Sequence, residues 1–104
     1  MTLTQLELLL DQTGYPVTYS NFKKPPVTPY ICYLAKGSSN FFADNKAHAK
    51  ISDVDIELYT DKKDLLAEAT LESLLDANEL AYEKTETWIE SQGLFQIIYG
   101  IGVI

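Results

Sequence analysis

The clearest pattern in the chain is a strict alternation of acidic and apolar residues near its middle. A period of two places the two kinds of side chain on opposite faces of a β-strand, one buried and one in water. The alternating residues are Asp53, Val54, Asp55, Ile56, Glu57 and Leu58. The pattern predicts a half-buried strand over residues 46–59, with a bend or bulge near Ser52, where the alternation changes phase.

Two other segments have apolar residues at the spacing of amphipathic helices. Residues 4–12 carry a stripe of leucines, and Thr4 and Glu7 have the spacing of a capping box. Residues 64–77 carry a broader apolar face behind Asp64, which can cap the first turn. We therefore expect one short helix at the start of the chain and a longer one after the central strand.

The remaining regular segments have the composition of strands. We predict strands over residues 16–19, 30–35, 81–90 and 94–104. Pro16 makes the first an edge strand, and the dense apolar run at 30–35 is typical of a central strand buried on both faces. The element order α-β-β-β-α-β-β predicts an α+β fold, an antiparallel or mixed sheet of four to five strands packed with two helices. We expect one domain over residues 1–104.

A polar, glycine-containing segment over residues 36–46 is predicted to be a hairpin loop. It carries Asn40, Phe41 and Phe42 at or near its tip. The phenylalanines either fold back onto the sheet or form aromatic anchors on a protruding loop, since exposed aromatic side chains are costly unless a partner covers them. We take these three residues, with Trp88 and Tyr99, as candidate interface residues.

The charge of the chain argues against direct nucleic-acid binding. Fifteen acids against eight lysines, with no arginine, give a net charge of −7. Nucleic-acid binding depends on a basic surface, which this composition does not provide.

The residue types of most catalytic and metal sites are scarce. Cys32 is the only cysteine and His48 the only histidine, so we expect Cys32 to be a small buried hydrophobe and His48 a solvent-facing strand residue. The acids around Asp55 superficially resemble a calcium loop, but Leu58 stands where that loop needs glycine. We expect no enzymatic activity, no cofactor and no metal, and we expect the acidic face to be solvated or paired with a lysine such as Lys84.

The chain has no recognisable targeting segment. Its N-terminus lacks a basic region and a cleavage site, and its longest apolar stretch is interrupted by Gln96 and two glycines. We expect a soluble intracellular protein with no membrane segment.

Three stretches of the chain resemble a family of small prophage proteins from Gram-positive bacteria. They cover residues 30–34 (Tyr-Ile-Cys-Tyr-Leu), 55–64 (Asp-Ile-Glu-Leu-Tyr-Thr-Asp-Lys-Lys-Asp) and 82–90 (Tyr-Glu-Lys-Thr-Glu-Thr-Trp-Ile-Glu). The family is encoded in the head-to-tail morphogenesis region of long-tailed phages. The element order also resembles tail terminator and tail completion (head–tail joining) proteins, whose subunits form rings, typically hexameric.

The resemblance implies a structural role without active-site residues. It implies a subunit that assembles as a homo-oligomeric ring on the tail tube or the head connector, made in the bacterial cytoplasm and retained in the virion at the tail–head joint. The alternative is a prophage or host protein-interaction module that has no place in a virion. Ring-sized oligomers, or assembly with tail-tube protein, favour the first interpretation.

Overall fold

The computed structural model of the chain describes residues 1–43 and 46–103, and its side chains outside residues 38–51. Its elements are α1 (Leu3–Asp11), β1 (Val17–Tyr19), β2 (Tyr30–Ala43), β3 (Lys46–Thr60), α2 (Leu65–Ala77), β4 (Glu83–Ile89) and β5 (Leu94–Val103). The predicted α+β fold and the order α-β-β-β-α-β-β are confirmed.

The five strands form one mixed sheet in the order β1-β2-β3-β5-β4. Only β1 and β2 are parallel, and the other three pairs are antiparallel. Strand β1 lies at one edge, as Pro16 predicted, and β4 lies at the other. The long strand β3, which carries the alternating pattern, lies at the centre of the sheet.

Both helices pack on one face of the sheet. The apolar members of the alternation, Val54, Ile56 and Leu58, are buried together with leucines of α1 and α2. Fully burying each such side chain stabilises the fold by roughly 1.5–3 kcal/mol. The helix side of the sheet therefore holds the core that the alternation predicts.

Helix α1 begins earlier than the sequence predicts. Thr2, not Thr4, is the N-cap: its Oγ1 accepts from the Gln5 backbone N–H at 3.1 Å, and Gln5 Oε1 accepts from the Thr2 N–H at 2.8 Å. The predicted Thr4–Glu7 box is wrong because Thr2 and Gln5 offer the same spacing one half-turn earlier. Helix α2 begins as predicted, with Asp64 Oδ1 accepting from the Ala67 N–H at 3.0 Å.

The irregularity predicted near Ser52 lies on the neighbouring strand. Ala35 pairs with Val54 and Gly37 with Asp53, so the extra residue is Lys36 of β2. The phase change of the β3 pattern thus falls beside a bulge in its partner strand rather than in β3 itself.

The predicted hairpin loop over residues 36–46 is also wrong in extent. Strand β2 continues to Ala43 and pairs with β3 as far as Lys46. Gly37, Ser38 and Ser39 favour a loop locally, but the long partner strand β3 supplies a backbone ladder that overrides their weak strand propensity.

Candidate assembly surfaces

The β2–β3 hairpin extends beyond the rest of the sheet. The last residue of β5 in the sheet, Val103, pairs with Ser52, and β1 pairs with β2 only as far as Tyr33. Residues 38–43 and 46–51, which we call the arm, therefore pair only with each other in the described chain, apart from Ser38, which pairs with Ser52. Six residues of strand span roughly 20 Å, and the molecule measures 49 Å along its longest axis against 29 and 23 Å across.

Three of the five candidate interface residues belong to the arm. Asn40, Phe41 and Phe42 lie on its β2 half, opposite Lys50, Ala49 and Ala47 of β3. Their side chains lie outside the described residues, so the choice between aromatic anchors and rings folded onto the sheet stays a prediction.

The fourth candidate, Trp88, lies near the end of the edge strand β4. Its side chain is 46% exposed, its ring centroid lies 4.8 Å from that of Phe95, and its indole Nε1 donates to Glu90 at 2.5 Å. These contacts fix the position of Trp88, and much of its ring faces solvent. The exposed part of the ring is accessible to a partner protein.

The fifth candidate, Tyr99, lies in the core and is corrected here. Its side chain has no exposed surface, and its hydroxyl donates to Glu72 Oε2 at 2.7 Å. Burial and the adjacent Glu72 carboxylate raise the pKa of this phenol. Tyr99 lies in phase with Ile97 and Ile101 of β5, which are also buried.

The two edges of the sheet differ. At the β1 edge, the Ser20 N–H donates to the Tyr33 carbonyl at 2.8 Å, and the Ala35 N–H donates to the Tyr19 hydroxyl at 3.2 Å. The chain then turns away at Ser20, whose φ is +67°. These bonds satisfy β2 where β1 ends, and β1 itself is only three residues long, so this edge offers little backbone ladder to a further strand.

Strand β4 forms the open edge. It pairs with β5 without a register shift from Glu83–Gly100 to Ile89–Leu94. Among the described residues, no backbone group outside β5 bonds to residues 83–88. Six of its seven side chains are exposed, so the strand presents a row of unpaired backbone groups to solvent.

An ion-pair cluster holds β4 to α2 on the helix side of the sheet. Glu68 is 3% exposed and accepts from Lys63 at 2.8 Å and from Lys84 at 2.6 Å. Lys84 also bonds Glu72 at 2.8 Å, and Lys63 bonds Glu86 at 2.6 Å. The expected pairing of Lys84 with the acidic strand face is wrong, because Lys84 points to the helix side; the partner of Asp55 is Lys36, at 3.2 Å.

These pairs set the ionisation of the buried carboxylates. Burial acts to raise the pKa of Glu68, but the hydrogen bonds from Lys63 and Lys84 outweigh it and the net pKa is lowered. The pKa values of both lysines are raised, chiefly by Glu68. These shifts favour the charged forms of Glu68, Glu72, Lys63 and Lys84, so the cluster acts as a clamp between the helix and the edge strand.

The face of the sheet away from the helices carries a cleft of about 450 Å³. Its aromatic wall is formed by Tyr30 and Tyr59, whose rings stack at 5.0 Å, and by Phe22, whose ring stands at 89° to that of Tyr30. The Tyr59 hydroxyl donates to Glu57 at 3.0 Å and accepts from Gln96 at 2.8 Å. The cleft combines aromatic surface with one carboxylate, a composition suited to a peptide side chain.

Cys32 lies at the bottom of this cleft and is 3% exposed. Burial, with a smaller effect of the nearby Glu57 carboxylate, raises the pKa of the thiol to about 11. A thiol with that pKa is almost wholly protonated at neutral pH, which is unfavourable for nucleophilic chemistry. His48 lies among the residues whose side chains are not described.

Groups of three or more residues able to hold a metal ion were sought in the described part of the chain, and none was found. In the same part of the chain, neither helix has the length and apolar character needed to cross a membrane.

Comparison with known proteins adds no relative. No protein-family model matches the chain, and no curated protein matches its sequence.

Proposed function

We propose that the chain is a structural subunit of phage or prophage morphogenesis that acts by self-assembly and by docking onto other proteins. Its place is the head–tail joint, as a tail completion or terminator-like protein. The observation that carries the proposal is the arm, a two-stranded hairpin that extends roughly 20 Å beyond the sheet.

The arm has the properties of an element that needs a partner. An isolated two-stranded hairpin is at best marginally stable in water, and stable sheets need a third strand or a packed apolar face. In the described chain neither β1 nor β5 continues along the arm. A neighbouring protein that adds such a strand or face would stabilise the arm, so docking and ordering are coupled.

The phage assignment is supported by the sequence resemblance. The three stretches that carry it fall on β2, on the second half of β3 with the turn up to the N-cap of α2, and on β4. They include the central strands and the open edge strand. On this proposal the subunit forms a ring, typically hexameric in the proteins it resembles, on the tail tube or the head connector; it assembles in the cytoplasm of the bacterial host and remains in the virion.

The double substitution Phe41→Ser with Phe42→Ser tests the arm directly. We expect it to weaken assembly at least tenfold while leaving the thermal unfolding midpoint within a few degrees, because aromatic anchors at an interface contribute more than 1 kcal/mol each. Light scattering and recruitment by tail-tube protein measure assembly, and calorimetry measures stability. Val27→Ser, at a position 87% exposed and outside the arm, is the matched control.

A large loss of thermal stability in the double variant would show that the two rings belong to the core. The docking role of the arm would then be withdrawn.

A protein-interaction module without a virion role is the second candidate, and the cleft beside Cys32 favours it. Aromatic walls around a single carboxylate suit a peptide ligand. A fixed monomer or dimer that ignores tail-tube protein would support this module, whereas ring-sized oligomers or recruitment to the tube would support the virion role.

A further inference from the structure

We propose that the open edge of β4 receives the arm of a second copy of this chain, by strand addition. The inference rests on the proposed function and names the surface that the arm contacts. It follows from the backbone geometry of β4, from the charge of the arm and from their positions in the molecule.

The backbone of β4 is suited to a further strand. The strand contains no proline and no bulge, and its seven residues pair with β5 in one continuous register. Each half of the arm has six residues in strand conformation, close to the seven of β4, and the register between the two halves shifts once, between Phe41 and Phe42. Strand addition satisfies the backbone groups of both elements at once, which is the main source of affinity in this mode of recognition.

The charges of the two surfaces are complementary. Residues 38–51 contain Lys46 and Lys50 against the single acid Asp44, a formal charge of +1, and the remainder of the chain has a formal charge of −8. The cation of β4 itself, Lys84, is already neutralised by Glu68 and Glu72 on α2. The ion-pair cluster that includes Glu86 holds three carboxylates against two lysines, and together with Glu83 it gives the β4 edge a negative character that favours the lysine-bearing arm.

The positions of the two elements decide the kind of assembly. The arm lies beyond the β3–β5 pair Ser52–Val103, whereas β4 forms the lateral edge of the sheet. A contact between two different surfaces is heterologous and continues from copy to copy, as a ring where the rotation per copy closes and as a filament where it does not. The β1 edge has three residues against the seven of β4, so it offers the arm a much shorter ladder.

Two variants test the two surfaces separately: the edge variant alters β4, and the arm variant removes the arm. In the edge variant, Thr85→Lys with Thr87→Lys places two cations on β4, which repel the lysines of the arm and are typical of strands protected from pairing. Its matched control is Thr85→Glu with Thr87→Glu, which changes the same exposed side chains with the opposite sign. In the arm variant, Asn-Gly replaces residues 40–50, a two-residue turn that closes the Ser39–Ile51 pair.

The test is the molar mass of each variant and of their equimolar mixture, at a concentration where the natural chain assembles. We expect each variant alone to be monomeric, near 11.7 kDa for the edge variant, and the Glu control to assemble like the natural chain. The mixture should form heterodimers of about twice that mass and nothing larger, because only the arm of the edge variant and the edge of the arm variant remain functional.

Oligomers of either variant alone, a mixture that stays monomeric, or a mixture that forms larger rings would overturn the inference. If the arm variant fails to fold, Lys46→Glu with Lys50→Glu replaces it: alone it should be monomeric, and with the edge variant it should form larger oligomers, because the two reversed surfaces now attract each other. A natural chain that is monomeric at every concentration also overturns the inference, but the proposed docking function is then judged separately by recruitment to tail-tube protein.

Discussion

At the scale of single residues, Glu68 is a charged side chain in a buried position, and it depends on ion-pair partners there. Its carboxylate is almost fully buried, and its charge is balanced only by Lys63 and Lys84. A buried pair of this kind gives little net stability over an apolar substitute, but removing one partner leaves charges without compensation. The arrangement therefore fixes how α2 and β4 pack together.

Glu68→Gln should lower the free energy of unfolding by about 1–3 kcal/mol, because both lysines lose their principal partner. The loss should lie in the lower half of this range of unfolding free energies. The two lysine side chains are 46% and 37% exposed, and water screens their charges. Urea unfolding at pH 7 measures the change. Asp76→Asn, at an exposed position of the same helix, is the control and should change stability little; equal losses in both variants would contradict the clamp.

Tyr99→Phe separates a core role from an interface role. The substitution removes the hydroxyl that donates to Glu72 and should cost about 1 kcal/mol of stability. The oligomer mass should not change, because the side chain has no exposed surface. Tyr15→Phe is the control, since the Tyr15 hydroxyl has no hydrogen-bond partner among the described residues; assembly lost in Tyr99→Phe alone would return Tyr99 to the interface.

At the scale of elements, the clamp between α2 and β4 makes stability depend on pH. The pKa values of Glu68 and Glu72 are lowered in the folded chain, so their stabilisation is complete above the ordinary value of 4.5 and is lost as the pH falls through the folded values. The lysines, whose pKa values are raised, keep their contribution throughout the acid range.

Urea unfolding between pH 7 and pH 3 should therefore show stability decreasing below about pH 4.5. Glu68→Gln should show a shallower decrease, because one of the two titrating carboxylates is absent. Glu57 acts in the opposite sense, since burial raises its pKa, and it affects the natural chain and the variant alike. Parallel pH profiles in the two proteins would contradict the assignment of the decrease to the clamp.

The elements with a strong local pattern could be predicted from the sequence. The alternation around Ile56 defines β3 and its buried face, and the Asp64 cap with the following leucines defines α2. The arm could not be predicted, because Gly37, Ser38 and Ser39 signal a loop and only pairing with β3 makes them a strand. The buried carboxylate Glu68 was also missed, since its helical position alone predicts solvent exposure.

Among the candidate assembly surfaces, too, some features could be predicted from the sequence and others could not. Trp88 was identified from its residue type in a polar strand, and it is partly exposed. Tyr99 was misassigned although its phase in β5 placed it with the core residues. The open edge of β4 has no signal in its side chains, because an unpaired edge is a property of the sheet order and not of local sequence.

At the scale of the whole molecule, the chain has an arm at one end of the sheet and an open strand, β4, at one side. A molecule with two different complementary surfaces assembles head to tail, and its mass then depends on concentration. An extended shape of 49 Å in one direction gives the arm its reach to a neighbour.

The most direct test is the molar mass of the natural chain by light scattering across a concentration series, alone and with tail-tube protein. The account predicts a mass that rises from 11.7 kDa to a ring-sized multiple, either with concentration or when tail-tube protein is added. A mass that stays at that of one chain under every condition, with no recruitment by tail-tube protein, would contradict the assembly role.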